Sequence, residues 1–192
     1  KKKKDGSLSL SSFQDKNKTA VIIPFYNESV IINDVLEETS KHCSVIIAVD
    51  DGSTNRYEHF LQEFENLQII KHQKNLGKGS ALRTGFKAAL HKEIDFIVTL
   101  DSDGQHDPSF IPNFLKKLYN FDIVIGNRMN DLSKMPFHRR LSNFLTSFLL
   151  SKKLKTKILD SQSGYRAYRI SILEKIIPQS NGFDAETEIL IK

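Results

Sequence analysis

Short, mostly apolar runs separated by helix-like stretches set the rhythm of this chain. Residues 20–24 (AVIIP), 44–49 (SVIIAV), 67–70, 94–100 and 122–126 each read as a strand. The unbroken apolar character of residues 20–24 is what a parallel strand buried on both faces requires. Between these runs apolar residues recur at helical spacing. A helix beginning at Asn27 or Glu28 is expected to turn Val30, Ile31, Val35 and Leu36 inward, and one after Ser53 to turn Phe60, Leu61 and Phe64 inward. A third, opening at Gly77-Lys78-Gly79, would bury Ala81, Leu82, Phe86, Ala89 and Leu90; residues 109–119 are helical again. Strands alternating with helices at this spacing predict an α/β fold with a mainly parallel sheet. No internal repeat and no linker divides the chain.

Ligands of such sheets bind beyond the carboxyl ends of the strands, and the unusual residues fall there. They are Phe25-Tyr26-Asn27-Glu28, Asp50-Asp51-Gly52-Ser53 and Asp101-Ser102-Asp103. In an extended chain, side chains two residues apart leave on the same side, so Asp101 and Asp103 can face one point, and Gln105 adds a neutral oxygen of the same parity. Oxygens converging in this way suit Mg2+ or Mn2+ completed by a ligand's phosphates. A calcium EF-hand loop fails on counting, because His106 and Pro112 stand where Gly and Glu are needed. The bland alternative is an acidic turn in which Asp107 caps a helix whose first residue is Pro108.

Gly77-Lys78-Gly79-Ser80 looks like half a P-loop, yet His72 occupies the first glycine position, and Leu82 breaks a dinucleotide fingerprint. A Gly-rich helix start carrying Lys78 can still bind phosphate through backbone N–H groups and charge. The competing reading is a flexible turn with a solvated lysine.

Composition narrows the picture only a little. The 192 residues, 39% hydrophobic and 27% charged, suit a soluble globular domain. The net charge of +5 owes much to Lys1–Lys4, and it is compatible with anionic ligands or a membrane surface. No nucleic-acid partner is expected. Cys43 is the only cysteine, which rules out an internal disulfide or a cysteine metal cluster. No apolar run approaches the roughly 20 residues of a membrane span. Residues 1–18, basic and Ser-rich without a signal peptide's apolar core, read as a disordered tail or expression remnant, leaving 19–192 as the functional domain. The final GFDAETEILIK is helix-like and stops without a cap, so the natural protein is expected to continue past Lys192 into a part that could include a membrane anchor.

PFYNE (24–28), VDDGST (49–54), NLGKGSALRTG (75–85), DSDGQHDP (101–108), GNR (126–128) and DSQSGYRAY (160–168) occur in one order. In that order the chain resembles glycosyltransferase family 2, and most of all its polyprenyl-phosphate branch, the dolichyl-phosphate mannose and glucose synthases. The resemblance implies a GT-A fold and an inverting, metal-dependent hexosyltransferase using a UDP or GDP sugar. Pro24, Tyr26 and Glu28 would line the base and ribose pocket. Asp51, with Val49 beside it, would accept from the base's ring N–H, while Asp50 is structural. Asp101, Asp103 and Gln105 would hold the metal against the diphosphate, with the Ser102 backbone close to the sugar nucleotide.

The resemblance also places Arg128 and Arg139 at the acceptor phosphate, a role that suits arginine's two-pronged fork. Phe137, Leu141, Phe144, Leu145, Phe148 and Leu149 follow at helical spacing, with Leu150 widening the stripe and Lys152, Lys153, Lys155 and Lys157 beyond. Such a stripe is either core or a basic amphipathic helix in a membrane interface, bordering a lipid acceptor's path at the cytoplasmic membrane face. Asn143 departs from the branch, which often has a small hydroxyl residue there. A saccharide or protein hydroxyl acceptor, as in cell-wall, capsule or lipopolysaccharide synthesis, is the alternative; it needs a carboxylate base, for which Asp184 or Glu186 is the candidate among Asp160, Asp184, Glu186 and Glu188. A non-catalytic nucleotide-sugar-binding module is a further alternative. A nucleotidyltransferase would want a Gly-rich signature that is missing before Pro24.

Overall fold

The computed structural model describes residues 18–127 and 137–192. Strand β1 (Thr19–Phe25) leads to helix α1 (Ile31–Ser40), β2 (Val45–Asp50), β3 (Leu67–Lys71) and α2 (Lys78–Leu90). Then come β4 (Phe96–Thr99), α3 (Ile111–Lys117), β5 (Ile123–Ile125), α4 (Phe137–Leu154), β6 (Arg166–Arg169), α5 (Leu173–Ile176) and α6 (Ala185–Ile191). The six strands form one sheet in the order β3-β2-β1-β4-β6-β5. The first four are mutually parallel, and β6 runs antiparallel to both β4 and β5.

Strand alternation divides the core into two layers. Val21, Ile23, Phe25, Ile46, Ala48 and Val98 face α1 and α3, meeting Ile32, Leu36, Ile111 and Leu115. Ala20, Ile22, Ile47, Val49 and Ile97 face the other way, onto Ala81, Leu82 and Phe86 of α2 and Ile189 of α6. All seven residues of β1 are buried, as its apolar run requires, and each large side chain so buried contributes about 1.5–3 kcal/mol.

Two expectations need correction. The stretch after β2 is not an α-helix; only Tyr57–His59 makes a 3-10 turn. Phe60, Leu61 and Phe64 still pack on the α1-side core, because other groups satisfy the backbone. Asn33 of α1 donates to the Phe60 carbonyl (2.8 Å) and accepts from Gln62 N (3.0 Å), and Tyr57 packs edge-on against Phe25.

Helix α1 begins at Ile31, so Ile32 rather than Val30 or Ile31 points inward. The delay has a local cause. Asn27 adopts a left-handed backbone (φ 53°), and its Oδ1 accepts from Thr54 N and Asn55 N. That contact holds the end of β1 against the loop after β2.

Strand β6 was not anticipated. Its four residues, RAYR, carry an arginine at each end. Arg166 is nevertheless buried, its guanidinium donating to the carbonyls of Ser161, Ser163 and Glu186.

Candidate functional site

The carboxyl ends of β1, β2 and β4 lie side by side, since Phe25 pairs with Asp50 and Ile22 with Thr99. Above them opens a cleft of about 1490 Å³. Pro24, Tyr26, Glu28, Asp51, Lys78, Asp101, Ser102, Asp103 and Gln105 all line it. Val49 does not belong with them: alternation along β2 turns its side chain into the core beneath α2.

Asp51 is only 4% exposed and is heavily engaged. Its Oδ1 accepts from Leu76 N (3.0 Å) and lies 2.7 Å from His72 Nδ1, and its Oδ2 accepts from Gly77 N (2.8 Å). His72 Nε2 in turn meets the Thr84 hydroxyl at 2.9 Å. Asp51 therefore anchors the loop before α2 to the end of β2. Asp50 is fully buried and accepts from Ser53 N (2.7 Å), a structural role in line with its expected one.

Asp101 and Asp103 do not sit on an extended chain. Strand β4 ends at Thr99, and the chain then turns through Gly104 at φ 71°. The exposed Asp103 closes that turn by accepting from Gln105 N (3.0 Å). Strand parity is thus not what brings the two acids to the cleft; a turn does so. Asp107 caps the 3-10 turn Pro108–Phe110 by accepting from Ser109 N (2.9 Å), as its position predicts.

Asp101 is the electrostatic centre. Its Oδ1 lies 2.6 Å from Lys78 Nζ and its Oδ2 lies 3.5 Å from His106 Nε2. Burial alone would raise its pKa, but Lys78 and His106 outweigh that and hold the carboxyl well below the usual range. Lys78 also lies 2.7 Å from Glu186 Oε1 on α6. Burial disfavours its charge, yet the two carboxylates raise it above the ordinary lysine value. Ser102 donates to Glu28 Oε1 (2.9 Å), joining the end of β1 to the acidic turn.

Among the described residues no three His, Cys, Asp or Glu side chains converge as a ready-made metal cage. The donor set still fits a hard cation that keeps some water and takes its other ligands from phosphates, for which one or two carboxylates suffice. Asp101 is held ionised, and Asp103 and Gln105 present further oxygens to the same cleft.

The Gly-rich helix start is not an open phosphate cradle. Gly79 N donates to the Asn181 carbonyl (2.7 Å), and Gly77 N is committed to Asp51. A Cβ at Gly79 would fall 2.3 Å from the Ser180 carbonyl oxygen, and one at Gly77 would fall 2.3 Å from that of Asn181. These glycines admit the strap of residues 178–182, which Arg83 grips through the Pro178 and Gln179 carbonyls. Lys78 lines the cleft beside Asn75, Gly77 and Ala81.

Helix α4 is inverted relative to an ordinary surface helix. Asn143 and Ser147 are buried, bonded to Asp160 (2.8 Å) and Ser161 (3.0 Å). Leu141, Phe144, Leu145, Phe148 and Leu149 face outward, 55–64% exposed. The core reading of this stripe is thereby overturned for those five; Leu150 turns inward, and the side chain of Phe137 lies outside the described residues. Ser142, Thr146 and Gln162 line the cleft, so two hydroxyls border it, that of Ser142 one position before Asn143. Arg128 lies outside the described residues, and so does the side chain of Arg139, which falls on α4. Asp184 and Glu186 both line the cleft, and Glu186 is paired with Lys78.

Sequence reasoning passed over Gly164 and His106. Both lie in quoted motifs, but neither had an assigned task until the fold set them against Asp101.

The sequence profile of Glycosyl transferase family 2 matches residues 20–177. A UDP-N-acetylglucosamine–dolichyl-phosphate N-acetylglucosaminyltransferase of Methanococcus voltae is 32% identical over 189 residues, covering 87% of this chain and 75% of the relative. A dolichol-phosphate mannosyltransferase of Pyrococcus furiosus is 31% identical, covering 91% of this chain and 53% of that protein. Among solved structures, the 4-diphosphocytidyl-2C-methyl-D-erythritol synthase of Anaerococcus prevotii superposes with a TM-score of 0.56 at 12% identity, covering 94% of this chain and 84% of the other. That likeness speaks for the fold alone, a GT-A-type α/β sheet. With the family profile running from β1 into the segment after α5, and relatives of the polyprenyl-phosphate branch aligned along nearly the whole chain, this protein belongs to glycosyltransferase family 2 and is a glycosyltransferase.

Proposed function

We propose that the protein transfers one hexose, with inversion and with Mg2+ or Mn2+, from a UDP or GDP sugar to a polyprenyl phosphate at the cytoplasmic face of a membrane. The observation that carries this reading is the outward apolar face of α4 beside a cleft whose floor is acidic. A soluble acceptor gives no reason to leave five large apolar side chains in water, whereas a lipid-borne acceptor does. No helix among the described residues is long and apolar enough to cross a membrane, so contact through α4 would be peripheral.

The donor's base and ribose would lie along Pro24, Tyr26 and Glu28, with the diphosphate over Asp101, Ser102 and Asp103. When bound, the metal supplies Lewis-acid stabilisation of the charge that develops on the departing nucleoside diphosphate. Asp101 and Asp103 would hold it, with Gln105 alongside. Lys78, fixed at the first position of α2, adds a positive charge on the same side. Arg128 and Arg139 would hold the acceptor phosphate, as the family resemblance implies, and Ser142 and Thr146 line the cleft. A phosphate acceptor is already an anion, so no side chain needs to remove a proton from it. That agrees with Glu186 being occupied as the partner of Lys78.

A thermal-shift panel tests the donor side. One of UDP-glucose, UDP-N-acetylglucosamine and GDP-mannose should raise the melting temperature with Mn2+ present and not without it. A transfer assay with dolichyl phosphate, undecaprenyl phosphate and a free disaccharide then tests the acceptor. Indifference to every sugar nucleotide, or transfer to the disaccharide alone, would refute the reading.

A further inference from the structure

Lys78 stands in an arrangement that neither a simple phosphate-binding lysine nor a simple structural lysine requires. Its ammonium is shared between Asp101 Oδ1 (2.6 Å) and Glu186 Oε1 (2.7 Å), and all three side chains are mostly buried. The Phe183 ring lies 5.8 Å away on the cleft side. Its backbone is fixed, because Gly79 N and Ser80 N both donate to the Asn181 carbonyl. The four-carbon stem is therefore the part free to move.

We infer that Lys78 is a two-position counter-ion. In the donor-free protein it occupies the Asp101 oxygen that a divalent cation needs; when metal and diphosphate arrive together it leaves Asp101 for the diphosphate, with Glu186 keeping hold of it. The inference rests on the donor reading above and adds an order to it.

The physical case is a matter of charge. A dication and an ammonium cannot share one carboxylate oxygen, since at contact distances their repulsion amounts to several kcal/mol even when well screened. Metal alone must therefore displace Lys78 toward Glu186 with no new anion to receive it. Metal with a diphosphate brings that anion, and because the pair is close to neutral, the site's balance of one lysine against two carboxylates is unchanged. Two consequences follow: metal alone binds weakly, and metal and nucleotide strengthen each other by the same factor. Glu186 is a positioning residue in this scheme, acting through Lys78.

The test measures free Mn2+ by electron paramagnetic resonance with the whole chain, with and without UDP or GDP. Lys78→Met should bind Mn2+ alone at least about tenfold more tightly than wild type, yet bind the nucleotide at saturating Mn2+ at least about tenfold more weakly. Glu186→Gln should weaken binding of Mn2+ alone, because Lys78 then rests wholly on Asp101. A folded Lys78→Met protein whose affinity for Mn2+ alone is unchanged or lower overturns the inference. If that variant does not fold, unchanged Mn2+ affinity in Glu186→Gln overturns it instead. Failure of the donor reading looks different: wild type with Mn2+ would bind neither UDP nor GDP, which would overturn both.

Discussion

Gly164 lies so close to Asp101 that a Cβ on it would fall 2.4 Å from both carboxylate oxygens. The approach is held from behind, where the Thr99 hydroxyl donates to the Gly164 carbonyl (2.8 Å). The antiparallel pairing of β6 with β4 brings the two residues together: Arg166 sits opposite Thr99, so the chain just before β6 must pass the end of β4. Gly164→Ala should push the carboxylate off its place. A misplacement on the order of 1 Å at reacting groups can cost about a hundredfold in rate, and a fall of that size in transfer is expected with the fold retained. Steady-state kinetics beside circular dichroism would check it; undiminished transfer would show that the placement of Asp101 does not matter.

The strap across the start of α2 gives a prediction about stability. A methyl group at Gly79 meets the Ser180 carbonyl oxygen and, at 2.7 Å, the Ala185 Cβ. Gly79→Ala should destabilise the protein by about 1–3 kcal/mol through overpacking. It should also loosen residues 178–182, making them more sensitive to protease. A melting curve and limited proteolysis read the two effects separately.

Asp51→Asn tests whether that residue is an anchor before it is a ligand. An amide offers one acceptor oxygen where the carboxylate serves Leu76 N, Gly77 N and His72. One N–H donor would then confront the new amide nitrogen, at a cost of about 1–3 kcal/mol. The urea midpoint should fall accordingly even with no nucleotide present. Normal stability combined with lost nucleotide binding would instead assign Asp51 to the ligand alone.

The double substitution Phe144→Ser and Phe148→Ser addresses α4. Both rings are exposed, so the melting temperature should hardly change, a surface substitution typically costing within about 0.5 kcal/mol. Binding to anionic vesicles should fall at least about tenfold, because each ring entering the bilayer interface contributes on the order of 1.5–3 kcal/mol. Sedimentation with vesicles of phosphatidylglycerol and phosphatidylcholine measures this, and unaltered sedimentation would exclude α4 as the contact.

Alkaline unfolding should have an identifiable tyrosine contribution. Burial, with Asp50 nearby, pushes the Tyr57 phenol up to about 12 from its ordinary 10. The folded state thus keeps the proton where the unfolded state has lost it. The sign follows from linkage: the contribution is fully present below about pH 10 and is lost as pH rises toward 12. Tyr57→Phe should flatten the stability profile in that window, read as melting temperature against pH with tyrosinate absorbance followed in parallel.

Strands β1, β2 and β4 were legible because each is an apolar run with acids or amides at its end. Legibility failed where periodicity and partner disagreed. Phe60, Leu61 and Phe64 have helical spacing and do point inward, but Asn33 of α1, far away in sequence, supplies the hydrogen bonds a helix would have made for itself. The stripe on α4 was read correctly as a stripe, yet a pattern cannot say on which side the protein lies. There the packed face is the polar one, through Asn143 and Ser147. In the site, the acids at 101 and 103 stood out from their types alone. The pairing of Lys78 with Glu186 depends on α6 folding back over α2, and no local signal announces it.

The placement of β6 also bears on how the chain matures. Among the described residues β5 has a single neighbour, β6, which also covers one side of β4. During synthesis both earlier strands must wait with bare hydrogen-bonding edges until residues 166–169 emerge. Edges of that kind recruit foreign strands. A ribosome pausing between β5 and β6 would therefore hold the nascent chain at its stickiest, and chaperone demand should peak there.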